Sequence, residues 1–386
     1  MKRVAALLAA LLVGWLTAAG AAAAAPVLLD FSADERARIA AHGPWPRASE
    51  RDRSNRVDGR AAAVAFGRAL FADPRLSADG SVSCAGCHQP ARALQDGLPV
   101  PQAGARGTRN TPGLLDVAQW RWFGWDGAHD SLWAASLAPL LNPAEMGASV
   151  SGLAARVRGD RELAGGYRAA FGQPPGSDDE RVAVDIAKAL AAWQATQASP
   201  RTPFDDFRDA LVRGDRAAAA RYPLAAQRGL KLFIGDARCH LCHAGPLFSH
   251  GEFADIGVPF FLPGGGVDAG RHGGLVKLMA SPYNRLGRFN DAGDAGAADA
   301  RASLTRHLAV QHRHFGEFRV PSLRQLTHTA PYMHDGSLAT IEDVVRHYSE
   351  LDEERLHADG ERTLRPLRLA PAQAADLAAF LRSLSR

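Results

Sequence analysis

The chain is poor in several residue types that carry covalent chemistry or anchor a fold. Of 386 residues only four are cysteine, four methionine and five tyrosine, and aromatics make up 7%. So few thiols exclude a disulfide-dense secreted scaffold. Beyond the N-terminus no apolar run reaches membrane-spanning length, which excludes a multi-span helical membrane protein. Charge of neither sign dominates: 45 Lys and Arg against 41 Asp and Glu leave a formal +4. Such a balance gives no reason to expect nucleic acid or anionic lipid as a partner. Convincing polar–apolar alternation is also missing, so strands are not expected, whereas abundant alanine favours helices.

What is present is concentrated. All four cysteines fall in two copies of one pattern, Cys84-Ala85-Gly86-Cys87-His88 and Cys239-His240-Leu241-Cys242-His243. C-x-x-C-H is the attachment pattern of c-type haem. Its two thiols add to the haem vinyl groups, and the adjacent histidine becomes the proximal ligand of the iron. A four-cysteine zinc site, a thioredoxin-like dithiol and two structural disulfides are the rival readings. The first does not need a histidine after each pair, and the second does not need two copies. Two covalently bound haems c, ligated by His88 and His243, are therefore expected.

The N-terminus agrees with that chemistry. Lys2 and Arg3 precede an apolar run from Val4 to Leu16, and small residues lead to Ala24-Ala25 before Pro26. This reads as a secretory signal peptide, 1–25, and not as a membrane span. Covalent haem attachment takes place outside the bacterial cytoplasm, so the periplasm is the expected location. Removing Lys2 and Arg3 brings the formal charge to about +2, still near neutral.

A short echo marks the architecture. Gly67-Arg68-Ala69-Leu70-Phe71 precedes the first haem motif, and Gly229-Leu230-Lys231-Leu232-Phe233 precedes the second. Each ends an Ala-rich amphipathic segment, Arg60–Phe71 and Leu224–Phe233. Further helices are expected over Ser131–Leu141, Ser151–Arg158, Asp178–Gln197 and Pro371–Leu384. Gly257–Ala300, rich in Gly, Asp and Pro, reads as a long surface excursion. The fold class is therefore mainly α, with two tandem cytochrome-c-like haem domains and long loops. The expected division is 26–222 for the N-terminal haem domain and 223–386 for the C-terminal one.

Four further segments, Arg109-Asn110-Thr111-Pro112, Trp125-Asp126-Gly127, Asn142-Pro143-Ala144-Glu145-Met146 and Thr329-Ala330-Pro331-Tyr332-Met333-His334-Asp335-Gly336-Ser337, complete a pattern. From about Arg60 to the C-terminus the chain resembles the bacterial di-haem peroxidases. That family includes cytochrome c peroxidases and the MauG-type enzymes that mature a protein-derived quinone cofactor. The resemblance implies that hydrogen peroxide is reduced at the N-terminal, peroxidatic haem and that the C-terminal haem transfers electrons. Family members of the cytochrome c peroxidase type place a distal histidine between the first motif and the R-N-x-P segment. Here Gln89–Thr108 contains no histidine, methionine, tyrosine or cysteine. The first iron is therefore expected to remain five-coordinate, as in the MauG-type branch.

The resemblance also assigns roles. Glu145, twenty residues after Trp125, matches the distal acid–base, and Trp125 matches the tryptophan between the haems. Trp120, Trp122 and Trp133 are expected to be packing residues. Pro139 matches a distal-pocket position, while Ala135 replaces a commonly found glutamine. Tyr348, fourteen residues after His334, stands at the sixth-ligand position of the second haem, where peroxidases usually carry methionine and MauG-type enzymes tyrosine. A phenolate favours the higher oxidation states of iron and lowers its potential. His347 is a rival ligand, and Tyr348 could instead pack on a helix. Asn110, Thr329 and Pro331 match the positions that hold a calcium ion. Ala237 occupies the position of the surface tryptophan through which MauG-type enzymes oxidise their protein partner, so the known route to the methylamine dehydrogenase precursor is not expected. The external donor is expected to be a protein. The alternatives are an ordinary cytochrome c peroxidase fed by a small cytochrome or cupredoxin, and a non-catalytic di-haem electron carrier.

Overall fold

The computed structural model describes residues 27–102, 107–262, 265–293, 300–359 and 363–386; the expected signal peptide lies outside them. Among these residues fourteen α-helices follow in order: α1 (Ala33–Ala41), α2 (Ala61–Phe71), α3 (Cys84–Cys87), α4 (Leu132–Leu141), α5 (Val150–Gly159), α6 (Arg161–Phe171), α7 (Asp179–Gln194), α8 (Pro203–Val212), α9 (Arg216–Ala219), α10 (Leu224–Ile234), α11 (Gly270–Ala280), α12 (Ala300–Arg306), α13 (Ile341–Ser349) and α14 (Pro371–Arg382). Two short strands, β1 (Phe253–Ala254) and β2 (Phe318–Arg319), pair antiparallel with Phe253 opposite Arg319. The mainly helical class and the six helices expected from periodicity are all present.

Two hydrophobic cores organise these elements. Residues of α2 and α4–α7 build the first, around Trp133, Leu70 and Leu190. The second gathers residues of α1, α8, α10, α13 and α14 around Phe204, Phe233 and Phe380. Thus Phe31, Ile39 of α1, and Phe204 and Phe207 of α8, all before residue 222, belong to the core that carries the second haem motif.

Each core is built on one helix crossing, and the crossing explains the G-x-x-L-F echo. At Gly67 in α2 a Cβ would stand 1.9 Å from the Ala189 carbonyl oxygen of α7; at Gly229 in α10 it would stand 1.9 Å from the Asp376 carbonyl oxygen of α14. Only a residue without a side chain allows the backbones so close. Four positions along, Phe71 meets Trp193 with ring centroids 4.2 Å apart, and Phe233 meets Phe380 at 4.9 Å.

The repeat extends further than the echo. Short 3₁₀ turns begin at Val117 and Leu326, bridges join Phe123 to His129 and Tyr332 to Leu338, and the side chains of Ser131 and Thr340 cap α4 and α13. All of these landmarks share one offset, which sets W-D-G against H-D-G and Pro139 against Tyr348.

One expectation fails. The stretch from Gly257 to Ala300 is not only a surface excursion. It contains α11, whose Arg271, Leu275 and Leu278 are buried, and it delivers Phe289 to the first core. Its glycines hid the helix because they serve close packing: a Cβ at Gly274 would stand 2.0 Å from the Asp126 carbonyl oxygen.

Replacing Gly229 by alanine is expected to cost at least about 2 kcal/mol, since backbone and not a movable side chain stands in the way. Gly165→Ala, at a helical position with nothing within 4 Å, is expected to gain about 0.5–1 kcal/mol. Urea denaturation of the haem-loaded proteins checks both signs.

Candidate haem sites

Each C-x-x-C-H segment closes on itself in the same way. The His88 amide donates to the Cys84 carbonyl, and the His243 amide to the Cys239 carbonyl, both at 2.9 Å. His88 Nδ1 then donates to the Leu94 carbonyl and His243 Nδ1 to the Phe248 carbonyl, each at 2.8 Å. A carbonyl only accepts, so Nδ1 carries the proton and Nε2 keeps the lone pair that a metal needs. Both accepting residues are left-handed, Leu94 at φ 61° and Phe248 at φ 52°, because the chain doubles back after each motif to deliver the carbonyl. Burial pushes both imidazoles down, His243 to about 4, which favours the neutral, ligating form.

The thiols fit haem attachment and not zinc. All four are free, and burial pushes Cys84 and Cys239 up to about 12. Among the described residues the only His, Cys, Asp and Glu side chains that gather as a possible ion site are His312, His357 and Asp359.

A cavity of about 1150 Å³ lies beside the second motif, lined by Cys239, Cys242, His243 and, from α13, Tyr348. Burial raises the Tyr348 phenol, and the neighbouring Cys239 and Cys242 thiols raise it further. His347 points elsewhere: its Nε2 is held by the Ile256 carbonyl at 2.8 Å. Ala237 lines the same cavity.

Near the first motif, Glu145 sits in the turn that ends α4. The Asn142 side chain accepts from the Ala144 amide at 3.1 Å and donates from Nδ2 to Glu145 Oε1 at 2.7 Å. The Met146 carbonyl accepts from the Ala78 amide at 2.8 Å, tying the turn to the approach of the haem motif. Glu145 is exposed as a residue, yet the protein around its carboxyl raises it above the usual range, with the Asn142 bond partly offsetting. It lies within electrostatic reach of both Cys84 and Cys87. Ala135 packs against the first core.

Trp125 lines the large cavity. Its indole Nε1 donates to the Asn110 carbonyl at 2.8 Å, and its own carbonyl accepts from the Arg319 amide at 2.8 Å. Trp120, Trp122 and Trp133 are buried, as packing residues are expected to be. Asn110, Thr329 and Pro331 line the same cavity as Trp125.

A forked ion pair pins this region together. Arg109 meets Asp126 of the W-D-G turn at 2.8 Å and Asp268, just before α11, at 2.7 Å. Burial works to raise both carboxyls, but Arg109 outweighs it and both lie below the usual carboxylate range. Sequence reasoning missed Asp268, which falls in the stretch read as surface, and Arg319, whose only signal was the position of R-V-P in the repeat.

Two cysteine–histidine turns with locked imidazoles, on two helix crossings related by an internal repeat, define a covalently attached di-haem protein. The di-haem cytochrome c peroxidase family profile matches residues 61–214. The methylamine utilization protein MauG of Methylorubrum extorquens is 35% identical over 330 residues, covering 83% of this chain and 77% of that protein. The cytochrome-c peroxidase IdrP1 of Denitromonas iodatirespirans is 33% identical over 330 residues, covering 83% and 81%. Among solved structures, a MauG-like protein associated with microbial copper homeostasis superposes with a TM-score of 0.64 at 28% identity, covering 89% of this chain and 95% of that one. The diheme peroxidase BthA of Burkholderia thailandensis, at 24% identity, shares the fold with a TM-score of 0.66, covering 84% and 86%. The chain belongs to the di-haem cytochrome c peroxidase/MauG family, and as such is a di-haem oxidoreductase of the peroxidase type.

Arg109→Met would strand two buried carboxylates, and a loss of about 3–5 kcal/mol at neutral pH is expected. Because both folded-state carboxyls are depressed, their contribution is complete above the ordinary carboxylate pKa and is lost as pH falls through the depressed values. The deficit of the variant should therefore shrink on acidification. Urea titrations at pH 7 and at about pH 3.5, below the ordinary value near 3.9, measure it.

Proposed function

We propose that this protein is a periplasmic peroxidase of the MauG-like branch, reducing hydrogen peroxide at the haem held by Cys84, Cys87 and His88. On this reading residues 26–222 form the peroxidatic domain and 223–386 the electron-transfer domain. Cys239, Cys242, His243 and Tyr348 would hold the second haem, and the electron donor would be an external protein. The observation that carries the proposal is the asymmetry of the repeat. Where the second half has a tyrosine lining the cavity of its attachment residues, the first half has Pro139, which offers no ligand atom.

Haem, once attached, supplies the redox-active iron at which the peroxide O–O bond is cleaved. The chain supplies the proton handling and the electron path. Glu145 Oε1 is held by Asn142, which leaves Oε2 to take a proton from the incoming peroxide and return it to the departing water. A carboxyl raised by its surroundings is suited to both steps. Trp125, fixed at its indole nitrogen by Asn110, stands in the cavity wall between the halves as the relay. The Asn110 amide fits a calcium site in one respect. Its Oδ1 accepts from Gln95 Nε2 at 2.7 Å, while buried Gln95 Oε1 has no partner. Turning the Gln95 amide over would aim two hard oxygens at one space, beside Thr329 and Pro331. Ala237 offers no tryptophan route to a partner, so donor oxidation leaves by another path.

The oxidised protein should contain one high-spin and one low-spin haem; two low-spin signals in electron paramagnetic resonance would sink the proposal, and, if peroxide also fails to react, would favour a non-catalytic carrier. Tyr348→Phe should keep both haems attached and lose the wild-type low-spin signal. An unchanged signal would turn attention to His347. Glu145→Gln should slow the reaction with peroxide by roughly two to four orders of magnitude, and stopped-flow absorbance checks this.

A further inference from the structure

Among the described residues four arginines are buried. Arg324 takes both oxygens of Asp205 at 2.9 Å, Arg285 meets Asp52 at 2.8 Å, and Arg271 donates from Nη1 to the Gly127 carbonyl at 2.9 Å. Arg319 differs. It is 8% exposed and lines the large cavity, yet its Nη1 has no hydrogen-bond partner and no carboxylate pairs with it among the described residues. Burial alone pushes its guanidinium down to about 10, with nothing offsetting the cost. A buried charge without a counter-charge is retained only where something supplies one.

The rest of Arg319 is tightly placed. Its guanidinium lies 4.1 Å from the ring centroid of Trp120, its Nε donates to the Gly124 carbonyl at 3.3 Å, and its amide donates to the Trp125 carbonyl. Two residues on, Pro321 lines the same cavity as His243. One residue thus spans the segment bearing Trp125 and the segment beside His243, with a buried, unpartnered donor on a residue of the cavity wall.

We propose that Arg319 is a carboxylate-binding site: its guanidinium receives a propionate of the haem carried by Cys239, Cys242 and His243. The ligand class follows from the geometry, because a planar guanidinium suits a carboxylate and haem is the carboxylate-bearing group that this cavity's attachment residues imply. Arg319 would then be a positioning residue as well, tying the haem edge to the peptide of Trp125, so that the relay tryptophan and the haem move as one unit. The inference rests on the second cavity receiving a haem.

The test uses the full, haem-loaded chain with Arg319→Gln and Arg319→Lys. Haem stoichiometry comes first. Fewer than two haems in the wild-type protein would overturn the underlying reading and this inference with it. With two haems present, Arg319→Gln should lower the reduction potential of the second haem, because the propionate loses its cation, and should shift the propionate-bending band in resonance Raman. Arg319→Lys, which keeps the charge, should restore both. A loaded Arg319→Gln protein with wild-type potential and band overturns the inference, as does an equal shift in both variants, which would indicate a packing role. Should the glutamine variant fail to load, the lysine variant decides alone: a wild-type potential supports the anchor, and a lowered one overturns it.

Discussion

Everything chemical here depends on one small constraint, an imidazole that cannot turn. Each proximal histidine is gripped at Nδ1 by a carbonyl that reaches it only because Leu94 or Phe248 adopts a left-handed conformation. The grip selects the tautomer before any iron arrives, so the lone pair of Nε2 is aimed when the thiols react. A free-rotating ring would have to be ordered at the moment of ligation, at an entropic cost. The same carbonyl keeps the imidazole electron-rich, which is one of the ways a protein tunes an axial ligand.

The two halves repeat this device on matching frames and then diverge at the other face of the haem. Because the register is shared, the divergence is a difference of single residues. Pro139 against Tyr348 separates a face without a ligand atom from one with a phenol, and Trp125 against His334 separates an indole in the cavity wall from an imidazole stacked on Phe318. One fold can thereby offer two different environments at matching positions, which two equal halves would not do.

The haem motifs were fully legible because covalent attachment demands a contiguous pattern. The long helices were legible from their periodicity. The echo at Gly67 and Gly229 was visible, but its meaning, a side chain excluded by another helix's carbonyl, depends on α7 and α14, which lie far along the chain. The helix α11 was missed because its glycines mimic a loop composition while serving close approach to Asp126. Arg109 showed in the sequence only as part of a motif, and neither Asp268 nor Arg319 carried a local signal, since their partners lie 159 and 195 residues away. Tyr348 could be placed only by register against a family pattern, and its place in the wall of the cavity beside the second motif is a property of α13 in three dimensions.

The second core has an ordering in time as well as in space. It takes α1 from the start of the described chain, α8 from the middle and α14 from its end. A chain that emerges N-terminus first must therefore hold the apolar faces of Phe31, Ile39 and Phe204 unsatisfied until the last helix is out. The first core closes earlier, being nearly complete once α7 has formed. The half that carries the first haem motif can thus pack while the second core still waits for α14, which closes that core as a latch.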